Sequence, residues 1–185
     1  APGAPVLAQR VRALLEEEEG IAASLSDTRG LDHGAWVPLR QMYPDADIPV
    51  TQLSVQPGRD AAWHLALGRA LQCLRTENVL VIASGSLTHN LHEVMFAEQG
   101  TAASEDYVRD FQEWMHQALV MHNDTALQEW ETQAPFARRA HPTPEHFLPL
   151  LVAYAAAGPA SAVRRTVSSF SHGVLAMDCY VFGEG

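Results

Sequence analysis

The chain has 185 residues, 47% hydrophobic and 18% charged, which suits one domain with a sizeable core and shows no sign of disorder. Its formal net charge of -10 argues against a nucleic-acid partner, because an acidic surface repels phosphate. No run approaches the roughly 20 apolar residues that span a bilayer, so no membrane association is expected. The opening APGAPVLAQRVRALLEEEEG lacks the basic start and apolar centre of a signal peptide. Cys73 and Cys179 are too few for a disulfide framework and read as buried thiols in a reducing, cytoplasmic setting.

In chain order, Pro5 to Glu18 carries an apolar stripe at Val6, Leu7, Val11, Leu14 and Leu15 and predicts a helix that Gly20 stops. The segment that follows is rich in turn residues, with a short helix predicted around Trp36, Val37 and Leu39. Ile48 to Gln56 alternates and reads as a strand. Arg59 to Thr76 predicts a helix with Trp63, Leu67, Ala70, Leu71 and Leu74 inward. NVLVIASG, Asn78 to Gly85, is apolar on both faces, as a buried parallel strand requires. Ser104 to Met121 and Thr125 to Thr132 read as helices. A helix from Thr143 to about Ala157 follows, and then a closing antiparallel pair turning at Ser171-His172-Gly173. The expectation is an α/β fold, a mixed β-sheet flanked by helices in a single domain over residues 1–185.

Histidine is the residue type through which chemistry is most readable here. Of nine histidines, His64, His92, His116, His122 and His172 lie on expected helix surfaces or in turns and read as solvated or packed. His89 sits in SLTHNLHE, directly after the predicted strand, where open α/β sheets carry their sites. Its pKa range suits a proton shuttle or a metal ligand, and a plain loop hydrogen bond fits equally well. The Ser84-Gly85-Ser86 turn lets backbone come close to a ligand. His33 lies in RGLDHGAWVPL beside Asp32 and Trp36, a setting that suits a small-molecule pocket; Asp32 as a helix cap is the alternative.

In HPTPEHFLPLL, Thr143 reads as an N-cap and Pro144 as the first helical residue, which places His146 in the first turn with Glu145 beside it. A metal ligand needs such a fixed direction. There is no P-loop, GxGxxG, HExxH, GxSxG or CxxC, so the common nucleotide-binding, zinc-protease and α/β-hydrolase readings fall away.

Taken in order, LDHGAWVPLRQMYPDADIPVTQLSV, VLVIASGSLTHNL and HPTPEHFLPLL resemble the class III extradiol ring-cleavage dioxygenases, in the 4,5-DOPA dioxygenase-like branch. The resemblance covers nearly the whole chain. It implies extradiol cleavage of a catechol-type substrate with O2 at a non-haem Fe(II), with Zn(II) able to occupy the same site. It implies His89 as acid/base residue, His33 near the substrate, and His146 as a metal ligand, with Glu145 the runner-up and His141 a weaker candidate. HGSP-like and AHW-like motifs, which hold the family's other two ligand histidines, do not occur here. Those ligands and the sheet's first strands are therefore expected upstream of Ala1. A metal-binding, non-catalytic relative and a zinc hydrolase on the same scaffold are the competing functions.

Overall fold

Pro5 opens the first helix and Gly20 closes it. In the computed structural model, which describes residues 1–96 and 105–183, α1 spans Pro5–Glu19. Gly20 adopts φ 63° and donates its N–H to Glu16 O, while Ile21 donates to Leu15 O. A left-handed residue is the usual end of a helix, and glycine takes it at little cost. Leu14 and Leu15 are the buried part of the stripe.

Helix α2 (His33–Met42) begins at Asp32, whose Oδ1 accepts from the Ala35 amide at 3.2 Å. Helix α3 (Ala61–Ala70) is capped by Asp60 and tightens into a 3-10 segment at Gln72–Thr76. The predicted single helix over Arg59 to Thr76 is thus two pieces. Helix α4 (Leu91–Phe96) follows His89, and α5 (Asp106–Val120) carries Phe111, fully buried in the larger core. Ser104, the expected start of that helix, lies outside the described residues. Short helices α6 (Asp124–Gln128), α7 (Trp130–Gln133) and α8 (Ala137–Ala140) lead to α9 (Leu148–Ala157).

Helix α9, LPLLVAYAAA, is apolar all round because it is central. Leu148, Leu151, Tyr154 and Ala155 join a core with Phe111, Trp130 and Phe147, whereas Val152 and Ala156 join a second with Leu14, Leu15, Leu67 and Leu74. Gly68 of α3 permits the close crossing: a Cβ there would lie 2.4 Å from Val152 O.

The chain ends in antiparallel pairs, β1 (Val163–Val167) with β4 (Cys179–Phe182) and β2 (Phe170–Ser171) with β3 (Leu175–Ala176). His172 and Gly173 make the turn at φ 54° and 68°, the positive values that match strand twist in a tight hairpin. The closing hairpin and its turn are as expected. The hairpin is held to α5 where Gln112 Nε2 donates to Asp178 Oδ2 at 2.7 Å.

Two strand expectations are corrected. Residues 51–56 and 78–85 form no ladder among the described residues; one parallel bridge, Gly3 with Val50, is the nearest approach. A strand needs a partner for its amides, and none of the described segments supplies one. Val79 and Val81 pack against the second core while Leu80 and Ile82 are exposed, so only one face of this segment is covered. The fold class stands: an α/β domain of packed helices with small antiparallel sheets. The buried-thiol reading also changes, since Cys73 is half-buried and Cys179 exposed, both free.

Candidate active site

His89 and His146, 57 positions apart in the chain, stack face to face with ring centroids 3.6 Å apart and planes 16° from parallel. Main chain holds them there. Ser86 donates its amide to His146 O at 2.8 Å, and His89 donates its amide to Ala140 O at 2.8 Å. Gly85 makes the first of these bonds possible, because a Cβ there would sit 2.1 Å from His146 O. The glycine's close approach is to the His146 peptide.

The helix start differs from expectation. Thr143 caps nothing; its hydroxyl donates to Glu145 Oε1 at 2.8 Å, and the Phe147 and Leu148 amides bond back to Pro144 O in a turn. Helix α9 begins at Leu148, so His146 precedes it. Pro149 decides this. A helix starting at Pro144 would bury Pro149 in its interior, where the missing N–H and the ring break the ladder, whereas in the observed helix it sits harmlessly in the first turn. His146 remains anchored by Phe147 and Leu148, both fully buried.

His146 is half-buried, and its Nδ1 has no hydrogen-bond partner of acceptable geometry, although Glu145 Oε1 lies 3.3 Å away. A buried orphan nitrogen is a donor that a metal ion would satisfy. Among the described residues, however, no three His, Cys, Asp or Glu side chains converge on one point. The residues present fit one ligand, with Glu145 beside it, and do not complete a site. Burial pushes the Glu145 carboxyl up, but its own amide, Thr143 and His146 together hold it below the usual range.

Burial, and then the adjoining His146 ring, lower the His89 pKa below the ordinary 6.5. His89 is thus the free base at neutral pH, the form that accepts a proton. His33 is the first residue of α2 and is exposed. Its helix lies against the His89 loop, since a Cβ on Gly34 would come 3.9 Å from Ser84 Oγ. Asp32 is the cap of α2, and it also exchanges hydrogen bonds with Gln52 at 2.9 and 3.0 Å. Asp32→Ala is expected to lower stability by about 1 kcal/mol, read as a drop of roughly 2–4 °C in Tm for a domain of this size.

His141 is held by packing and a main-chain bond, and its Nδ1, like that of His146, has no hydrogen-bond partner. It is buried among Phe111, Trp130 and Phe147, and its Nε2 donates to Leu87 O at 2.7 Å. Sequence reasoning also missed Thr88, whose hydroxyl donates to Val174 O and accepts from the Ala176 amide, tying the loop to the hairpin. It missed Asn90 and Glu93 as the start of α4, although Asn followed three residues on by Glu is a helix-start pattern.

Comparison with known proteins decides the family. The family described as the catalytic LigB subunit of aromatic ring-opening dioxygenase matches residues 1–183. The chain belongs to this family. This LigB-family chain is 43% identical over 182 residues to a 4,5-DOPA dioxygenase extradiol of Beta vulgaris, covering 98% of this chain and 67% of that protein. It is 36% identical over 180 residues to the 4,5-DOPA dioxygenase extradiol of Escherichia coli K12, covering 96% and 65%. A crystal structure of an uncharacterized Escherichia coli K12 protein superimposes with a TM-score of 0.83 at 34% identity, covering 97% of this chain and 73% of that one. The LigB-family chain thus spans about two thirds of the length of these curated relatives. No helix among the described residues is long and apolar enough to cross a membrane.

Proposed function

We propose that this chain is the His89- and His146-bearing part of an extradiol dioxygenase that opens a catechol ring with O2 at a non-haem Fe(II). The observation that carries the reading is the His89–His146 stack, a depressed-pKa base held against an imidazole with an unpartnered buried nitrogen. The family match over residues 1–183 supports it. His146 is assigned as one metal ligand; the resemblance implies two further histidine ligands, from HGSP-like and AHW-like motifs. When bound, the ion supplies the positive charge that acidifies the catechol hydroxyls and the electrons that activate O2. Zn(II) would compete for an imidazole site without supplying the redox step.

His89 accepts a catechol hydroxyl proton and later returns it as the ring opens. Both oxygen atoms enter the product, a ring-opened semialdehyde, so no external reductant is needed. His33, presented by the neighbouring helix start, is assigned to substrate contact. Catechols with an amino-acid side chain are the first to assay, since the curated relatives are named for 4,5-DOPA. The free thiols of Cys73 and Cys179 suit a cytoplasmic setting.

The test is oxygen uptake with a panel of catechols after anaerobic Fe(II) loading of the full-length protein. Uptake equimolar with catechol is expected, and iron-bound protein without uptake overturns the reading. His89→Ala is expected to lower turnover by about 100-fold or more with metal content unchanged, whereas His146→Ala loses the metal. Equal metal loss in both would overturn the assignment of roles.

A further inference from the structure

We propose that Glu93 and Arg139 are positioning residues for His89, an inference that rests on the dioxygenase reading above. His89 is the last residue before a loop-to-helix junction, and its amide is spent on Ala140 O. Ala140 closes α8, the helix that carries Arg139. Asn90, the residue after His89, is buried and donates Nδ2 to Arg139 O at 2.9 Å, while its Oδ1 accepts the Glu93 amide at 3.3 Å. The His89 amide and the Asn90 side chain are thus both bonded to carbonyls of the Arg139–Ala140 segment.

The side chains lock this junction. Arg139 grips the Glu93 carboxylate with Nε at 2.7 Å and Nη2 at 3.1 Å, a two-pronged pair. The Tyr107 hydroxyl donates to Glu93 Oε2 at 2.9 Å, and Asn90 Nδ2 reaches Oε1 at 3.3 Å. The guanidinium carbon lies 3.7 Å from the centre of the Tyr107 ring, and Tyr107 is buried in α5. One carboxylate therefore joins the helix after His89, the long core helix α5, and α8.

Both ionic side chains are partly exposed, so the pair contributes little to global stability. What it does contribute is direction. It holds α4, and so the loop that ends in His89, against the segment leading to His141 and His146. Small displacements of a reacting group lower rates steeply, by about 100-fold for 1 Å.

The experiment uses Arg139→Met, Glu93→Gln and Arg139→Lys in the full-length protein, assayed with Fe(II) and, separately, metal-free. In Arg139→Met and Glu93→Gln, kcat is expected to fall at least tenfold while KM for the catechol and metal content stay at wild-type values. In the metal-free protein the His89 ring-proton signals, assigned with His89→Ala, should lose part of the displacement imposed by the stacked His146 ring. Arg139→Lys keeps the charge without the planar fork and should recover only part of either effect. Variants that lower Tm but keep wild-type kcat and His89 signals would reduce the pair to a structural tie and overturn the proposal. Loss of metal together with turnover would also overturn it, because the effect would then lie on His146. If wild-type protein turns over no catechol, the dioxygenase reading fails while the ring signals still decide the brace: shifted signals support it, unshifted signals overturn it.

Discussion

Gly85→Ala is expected to unsettle both the fold and the site. The added Cβ would lie 2.1 Å from the His146 carbonyl oxygen, closer than any real Cβ contact, and the obstacle is backbone rather than a side chain that can swing away. Relief requires the loop at 84–86 to separate from the His146 turn, which breaks the 2.8 Å bond from Ser86 N to His146 O. Overpacking of this kind costs roughly 1–3 kcal/mol and the lost hydrogen bond about 1 more. Thermal unfolding should show a Tm lower by roughly 5–15 °C for a domain of this size. Because the same movement separates the stacked rings, turnover should fall as well. Gly58→Ala is the control, with nothing within 4 Å of its added Cβ; it should stay within about 0.5 kcal/mol of wild type. A Gly85→Ala protein melting within 1–2 °C of wild type would show that the close approach does not constrain the loop.

Acid should destabilise the domain well before its carboxylates are titrated, chiefly through His141. Burial pushes this imidazole down to about 4, only partly opposed by its bond to Leu87 O. The unfolded chain takes a proton near the ordinary 6.5, the folded chain only near 4. The stabilisation is therefore complete above pH 6.5 and lost progressively as pH falls toward 4. At the lower end the loss amounts to roughly 3 kcal/mol, from 1.36 kcal/mol per pKa unit. Burial also lowers His64 and His89, which steepens the same window. His141→Gln keeps a donor for Leu87 O but removes the titration. Urea midpoints between pH 7.5 and 4.5 should show the variant losing stability with a slope shallower by up to one proton. Identical slopes would mean that His141 is not held neutral by its surroundings.

Where local rules and packing agree, the sequence alone was enough. The Pro5 start and Gly20 stop of α1, the amphipathic α5 and the left-handed turn at His172-Gly173 follow from residue chemistry that no tertiary contact overrides. Thr143-Pro144 satisfies the cap rule for a helix start, but Pro149 is tolerated only in a first turn, so the sequence itself favours the later start. The strands expected at 48–56 and 78–85 rest on apolar pattern, and pattern does not supply a hydrogen-bonding partner. At the site, motifs brought out His89 and His146, which the structure stacks, and His33, which it leaves exposed on the adjacent helix start. The bonds from His141 to Leu87 O and from Thr88 to Val174 O join main-chain atoms tens of residues away. No side-chain pattern records a carbonyl as a partner, so these roles were not legible.

The two backbone bonds beneath the histidines, Ser86 N to His146 O and His89 N to Ala140 O, have an evolutionary consequence. Peptide groups are the same whatever side chains they carry, so the spacing of His89 and His146 is insulated from most substitutions around them. Exposed side chains such as Leu91 and Pro142 are free to be exchanged without moving either ring. A lineage built on this clamp can change the exposed surface around the two rings while their spacing stays in place.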